Sequence, residues 1–110
     1  MQITHTLTTD SIFDGNGKAV IVEGGGSFFG NNSGTVKNLR LGGEICLAFH
    51  NYGLIENCYV GGEMNLGNAV GIVGGIAGRN LGCGIIRNCY SDMTINIKEF
   101  SQAIGGICGY

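Results

Sequence analysis

Gly53-Leu54-Ile55-Glu56-Asn57-Cys58-Tyr59-Val60 decides the fold when it is laid against Gly34-Thr35-Val36-Lys37-Asn38-Leu39-Arg40-Leu41 and Gly84-Ile85-Ile86-Arg87-Asn88-Cys89-Tyr90-Ser91. Each segment follows Gly-x-(Val/Ile)-x-Asn-(Leu/Cys)-x-x, so the chain is a stack of similar units. Stacked units build surfaces and rarely gather a convergent acid, base and nucleophile, so the repeat speaks to architecture before it speaks to activity. Upstream of each segment an asparagine precedes the turn glycine: Asn32-Ser33-Gly34, Asn51-Tyr52-Gly53 and Asn80-Leu81-Gly82. The step from Asn38 to Asn57 is 19 residues and that from Asn57 to Asn88 is 31, so extra material enters between Gly61 and Gly75. A second 31-residue step carries Gly75-Ile76-Ala77-Gly78 onto Gly106-Ile107-Cys108-Gly109.

Short β-prone runs, Gly and Asn turns and the absence of a 3.6-residue apolar period predict an all-β fold, a small right-handed parallel β-helix of about four to five coils. The whole chain, 1–110, reads as one domain, with capping strands and a first coil over 1–26 and the repeats over 27–110. Ile3-Thr4-His5-Thr6-Leu7-Thr8 alternates apolar and polar residues and reads as an edge strand that caps the stack. Two short apolar runs then flank Asn16-Gly17, a pair suited to the positive φ angles of a tight turn.

Stacking places equivalent residues in columns about 4.8 Å apart per rung. Val36, Ile55 and Ile86 form an inward aliphatic column, and Leu39, Cys58 and Cys89 a second. Asn38, Asn57 and Asn88 fall between them, which breaks the in–out alternation and predicts a bend that asparagine tolerates in the left-handed region. Their amides are expected to form a structural ladder from coil to coil. Lys37, Glu56 and Arg87 make an outward column of alternating sign. Arg40, Tyr59 and Tyr90 make another, a file of flat amphipathic side chains of the kind that dominates binding hot spots.

Composition narrows function mostly by exclusion. With 22 glycines, no proline and 44% apolar residues the chain is neither a disordered tail nor a collagen. A net charge of -2 with 13% charged residues gives no basic face for a phosphate backbone, so direct nucleic-acid binding is not expected. Met1-Gln2-Ile3-Thr4-His5-Thr6-Leu7 holds no basic segment followed by an apolar run, which places the chain as written in the cytoplasm, or at the cell surface if it is cut from a longer adhesin. No membrane span is expected. Cys46, Cys58, Cys83, Cys89 and Cys108 are odd in number and contain no C-x-x-C pair, so free, buried thiols are expected rather than a disulfide framework or a metal site. His5 and His50 lie in different units without patterned acids or thiols near them, and the eight acids are scattered. Asp14-Gly15-Asn16-Gly17 lacks the remaining ligands of a calcium loop and reads as a turn. No enzyme class, cofactor or metal survives.

Gly75-Ile76-Ala77-Gly78-Arg79-Asn80, Gly84-Ile85-Ile86-Arg87-Asn88-Cys89-Tyr90 and Gly106-Ile107-Cys108-Gly109-Tyr110 resemble the GLUG motif, a glycine-rich repeat closing on Asn-Cys-Tyr. Phe13-Asp14-Gly15-Asn16-Gly17 resembles the segment that often opens such arrays, so the resemblance spans roughly residues 12 to 110. It implies a β-helix module of the sort found in bacterial surface proteins, adhesin-like proteins and some immunoglobulin A peptidases, where the repeats accompany other domains and have no known catalytic role.

The function expected is therefore a non-enzymatic protein-binding module, with contacts through Arg40, Tyr59 and Tyr90, joined by Phe49 and Tyr52. The alternative is a small cytoplasmic protein of phage or mobile-element type that inhibits a host defence enzyme such as a CRISPR effector. Ser101 to Tyr110 would leave an apolar coil with unpaired backbone, so self-association into a homodimer through Ile104, Ile107 and Tyr110 is expected as well.

Overall fold

A computed structural model describes residues 5–22, 27–43, 45–66, 72–97 and 103–110. Within them the chain forms fourteen strands and no helix. Twelve strands are shared among three four-stranded sheets. The first holds β1 (His5–Leu7), β4 (Ser27–Asn32), β7 (Cys46–Asn51) and β11 (Ala77–Asn80). The second holds β2 (Ile12–Asp14), β5 (Thr35–Lys37), β8 (Leu54–Glu56) and β12 (Ile85–Arg87). The third holds β3 (Ala19–Val22), β6 (Arg40–Gly43), β9 (Tyr59–Leu66) and β13 (Tyr90–Ile97). Each pairing is parallel and joins strands one turn of chain apart, so the backbone visits the three sheets in order and starts again one rung higher. That winding is a parallel β-helix.

The added length of the later coils has a definite place. β13 runs beside β9 for eight residues, twice the four of β3 against β6. β10 (Ile72–Gly74) and β14 (Ala103–Gly105) then pair as a fourth, two-stranded sheet. The sequence step of 31 residues is therefore a longer circuit with an extra short side.

Inward side chains stack in register. Phe13, Val36, Ile55 and Ile86 occupy one column of the second sheet. Leu39 and Cys58 are buried beside it, with Leu41 and Val60 from the third sheet and Phe29, Leu47 and Ala48 from the first. Below them Phe13, Phe28 and Phe29 meet edge to face, with centroids 5.0 to 6.0 Å apart, and fill the first coils.

Two kinds of corner turn the coil. Between the second and third sheets Asn16, Asn38, Asn57 and Asn88 all take positive φ, 54°, 55°, 52° and 50°. Asparagine is among the few residues with a side chain that enter this region at modest cost, which is why the motif carries it there. Asn16-Gly17 is thus a corner of the first coil, since β2 and β3 lie in different sheets. Between the first and second sheets the constraint is room: a Cβ on Gly53 would strike the carbonyl oxygen of Gly34 one rung below, and one on Gly34 the oxygens of Thr8 and Ser11. His5–Leu7, within the segment read as an edge strand, forms β1. β1 pairs with β4 and is the first rung of the first sheet, at its edge.

Candidate interaction surface

The third sheet carries the most distinctive outer face. Alternation along β6 and β9 sends Leu41 and Val60 into the core and leaves Arg40, Gly42, Tyr59 and Gly61 outside. Register puts Ala19, Arg40, Tyr59 and Tyr90 in one outward column and Ile21, Gly42, Gly61 and Asp92 in the next. Tyr59 and Tyr90 stack with centroids 5.4 Å apart and planes 16° from parallel, and the Arg40 guanidinium carbon lies 5.0 Å from the Tyr59 centroid. The three expected binding residues therefore form one continuous file, with Tyr59 held between a cation and a second ring.

Glycine shapes what lies beside that file. Tyr59 lies over the backbone of Gly61, where a Cβ would come within 2.9 Å of the ring carbon Cζ. Gly42 and Gly61 leave the sheet without side chains, and Ile21 stands at the margin 80% exposed. The result is an open groove of about 280 Å³ with Ala19, Ile21, Arg40, Gly42, Tyr59 and Gly61 among its lining residues. An apolar floor with one guanidinium at its side suits an apolar side chain of a partner better than a highly charged ligand.

Phe49 and Tyr52 belong elsewhere. They lie on β7 and at the corner after it, where Phe49 stacks on His50 at 4.4 Å and Tyr52 meets His50 edge-on at 6.2 Å. His50 Nδ1 is also hydrogen-bonded to Asn31 Oδ1 at 3.0 Å. The fold thus divides the five expected binding residues between two faces, three on the third sheet and two around the first.

The asparagine ladder needs correction. Asn38, Asn57 and Asn88 stack as corners through their backbones, Asn38 N–H donating to the Glu56 carbonyl and Asn57 N–H to that of Arg87, each at 3.2 Å. The side-chain amide of Asn38 donates to Asp14 instead, at 3.1 Å. Coil-to-coil amide bonds run through another column: Asn32 Nδ2 donates to Asn51 Oδ1 at 2.9 Å, and Asn51 Nδ2 to Asn80 Oδ1 at 2.8 Å. Asn32 and Asn51 are fully buried, so their amides must be satisfied internally, and the ladder with its bonds to Gly34 and Gly53 does so. The signal for it was the asparagine before each turn glycine.

On the second sheet Asp14, Lys37, Glu56 and Arg87 alternate in sign up the stack. Arg87 pairs with Glu56 Oε2 through Nη2 at 2.7 Å and Nε at 2.9 Å. The Asn16 backbone N–H and then the Asn38 amide hold the Asp14 carboxyl below its usual value. Asp14 and Arg87 are exposed and Lys37 and Glu56 half-buried, a solvated side of the stack rather than a site.

At the far end, the backbone of the last residues is paired. Tyr110 N–H donates to Gly78 O at 3.0 Å, Asn80 N–H donates to Tyr110 O at 2.9 Å, and Ile107 O accepts from Ile76 and Ala77. The described tail is a further rung laid on β11. Ile107 and Tyr110 remain exposed, with the Arg79 guanidinium 5.8 Å from the Tyr110 ring. Ile104 pairs through its backbone with Val73, and its side chain lies outside the described residues. Among the described residues all five cysteines are unpaired thiols, and no three His, Cys, Asp or Glu side chains gather as a metal site. Among the described residues no helix is long and apolar enough to cross a membrane.

Residues 69–96 match the family described as the GLUG motif. That segment holds Ala77 to Asn80, Gly84 to Tyr90 and most of β13, the last full coil of the stack. No curated protein and no solved structure matches the chain.

Proposed function

This chain carries a GLUG motif, and from that premise we propose that it is a non-enzymatic protein-binding β-helix module resembling the repeats of bacterial adhesins. One observation carries the reading: the outer face of the third sheet joins a stacked Arg40–Tyr59–Tyr90 file to a glycine-floored groove bordered by exposed Ile21. Aromatic and arginine side chains anchor protein interfaces, the rigid aromatics because they bury much area at little conformational cost. Here the strand register has already ordered them, so a partner gains their contact without ordering a loop. Tyr90, 60% exposed, presents the free face of the file.

The test is to immobilise the wild-type chain and the Ile21→Glu, Tyr90→Glu and Phe49→Glu variants and compare the proteins each retains from bacterial lysate and from cell-surface extract. The expected result is a set of proteins retained by wild type and by Phe49→Glu but lost from both third-sheet variants, all four showing the same β-rich circular dichroism. Identical retention by all four chains would sink the assignment.

A further inference from the structure

Cys58 and Cys89 stand apart from the other thiols because the coil stacks one directly on the other. They lie between the register pairs Glu56–Arg87 and Tyr59–Tyr90, so Cys89 occupies the position of Cys58 one rung higher. Tyr90 N–H donates to the Cys58 carbonyl at 3.0 Å, which fixes the spacing of the two backbones. Neighbouring parallel strands lie about 4.8 Å apart, inside the Cα separation of about 4.4–6.8 Å that a disulfide spans. Both sulfurs point to the same side, each bonded to the carbonyl two residues back, Cys58 to Glu56 at 3.3 Å and Cys89 to Arg87 at 3.2 Å. Accessibility differs: Cys58 is buried and Cys89, on the upper rung, is half-buried.

We propose that Cys58 and Cys89 are a thiol-modification site for small disulfides, Cys89 attacking and Cys58 resolving, whose product is a disulfide between adjacent coils. The Cys89 thiolate attacks one sulfur of R–S–S–R; that S–S bond breaks, an RS⁻ leaves, and Cys89 carries a mixed disulfide. Cys58 then gives up its proton and attacks Cys89 Sγ, expelling the second RS⁻. Two protein thiols are oxidised to one disulfide and one small disulfide is reduced to two thiols, each RS⁻ taking one of the two protons released.

The polar surroundings agree with that order. Interaction with the neighbouring Cys58 thiol holds the Cys89 thiol down to about 7, against burial and the Glu56 carboxylate, which push the other way. The same contact, with burial, pushes Cys58 up. The charge thus rests on the more accessible sulfur, the one that must attack first. Arg87 is engaged with Glu56 beside the pair and limits what that carboxylate adds.

Oxidised glutathione is the probe, with Cys83, an exposed single thiol, as internal reference. After exposure of the folded wild-type chain and acid quenching, peptide mapping is expected to find Cys58 linked to Cys89 and Cys83 carrying glutathione. In Cys58→Ala, Cys89 is expected to stop as the glutathione adduct, and in wild type its alkylation rate to rise with a midpoint near 7 instead of the ordinary 9.0. Wild-type Cys89 retaining glutathione while Cys58 stays reduced overturns the proposal, as does Cys89 remaining unmodified while Cys83 reacts. The wild-type map decides the matter even if Cys58→Ala does not fold.

Discussion

The middle coils and the last coil contain the same motif and are packed differently. Ile55 and Cys58 of the third coil are buried, whereas Ile86 and Cys89, their equivalents one rung up, are only partly covered. Asn51 is sealed, and Asn80 above it is half-buried. The side chains point the same way in both coils, so direction is set by the motif and burial by the neighbours on either side. In a solenoid each rung is covered by the next, and the worth of an apolar residue depends on its place in the stack.

The strongest way to break that contrast is the amide ladder. Asn51→Ala removes bonds to Asn32, Asn80 and the Gly53 N–H, and at about 1–3 kcal/mol for each buried group left unpaired it should cost about 4 kcal/mol. Asn80→Ala should cost about half as much, because one of its partners is half-exposed and can turn to water. Urea unfolding of both variants measures the difference, and equal losses would mean that the ladder does not concentrate its energy in the middle.

The aliphatic column sharpens it on a smaller scale. Ile55→Ala should lose about 3 kcal/mol and Ile86→Ala about 1 kcal/mol, since the upper site is already partly hydrated and leaves less of a cavity. Guanidinium unfolding resolves a difference of this size.

A third effect is alkaline. Burial pushes the Cys46 thiol up to about 12 from its ordinary 9.0. The unfolded chain then releases this proton above pH 9 while the folded chain keeps it, so the folded state binds more protons and stability falls as pH rises from about 9 towards 12. One pH unit into that window the loss is about 1.4 kcal/mol. Thermal melts at pH 8 and pH 10 should show a smaller drop for Cys46→Ala than for wild type, while Cys83→Ala, altered at an exposed corner, should follow wild type.

Much of this arrangement was legible in the repeats. The columns Val36–Ile55–Ile86, Lys37–Glu56–Arg87 and Arg40–Tyr59–Tyr90 stand in register in the fold because a parallel stack converts sequence period directly into neighbourhood. The left-handed asparagines were legible for a local reason, the cost of positive φ for other side chains. What the repeat could not say was which asparagine column faces inward. Two columns share the residue type, and only the three-sided cross-section shows Asn51 enclosed while Asn57 turns the outer corner. The separation of Phe49 and Tyr52 from Tyr59 has the same cause, since a sharp corner parts residues that are close in sequence. The glycine-floored groove depends on Tyr59 lying over Gly61, a side-chain choice that no spacing encodes.

The amide file has one more property. Asn32 gives its proton to Asn51, and Asn51 gives to Asn80, so donation runs one way along the axis and ends with Asn80 Nδ2 turned onto its own Gly84 carbonyl. At the other end the Asn32 oxygen is taken by Gly34 N–H. The stack is therefore a vector. Its two ends are chemically inequivalent, and a half-turn that exchanged them would bring donor against donor. Asn51 Nδ2 donates to the Gly53 carbonyl and to Asn80 Oδ1 at once, so a coil added above Asn80 would extend the file by offering an acceptor to the second hydrogen of that amide, with the bond to Gly84 kept.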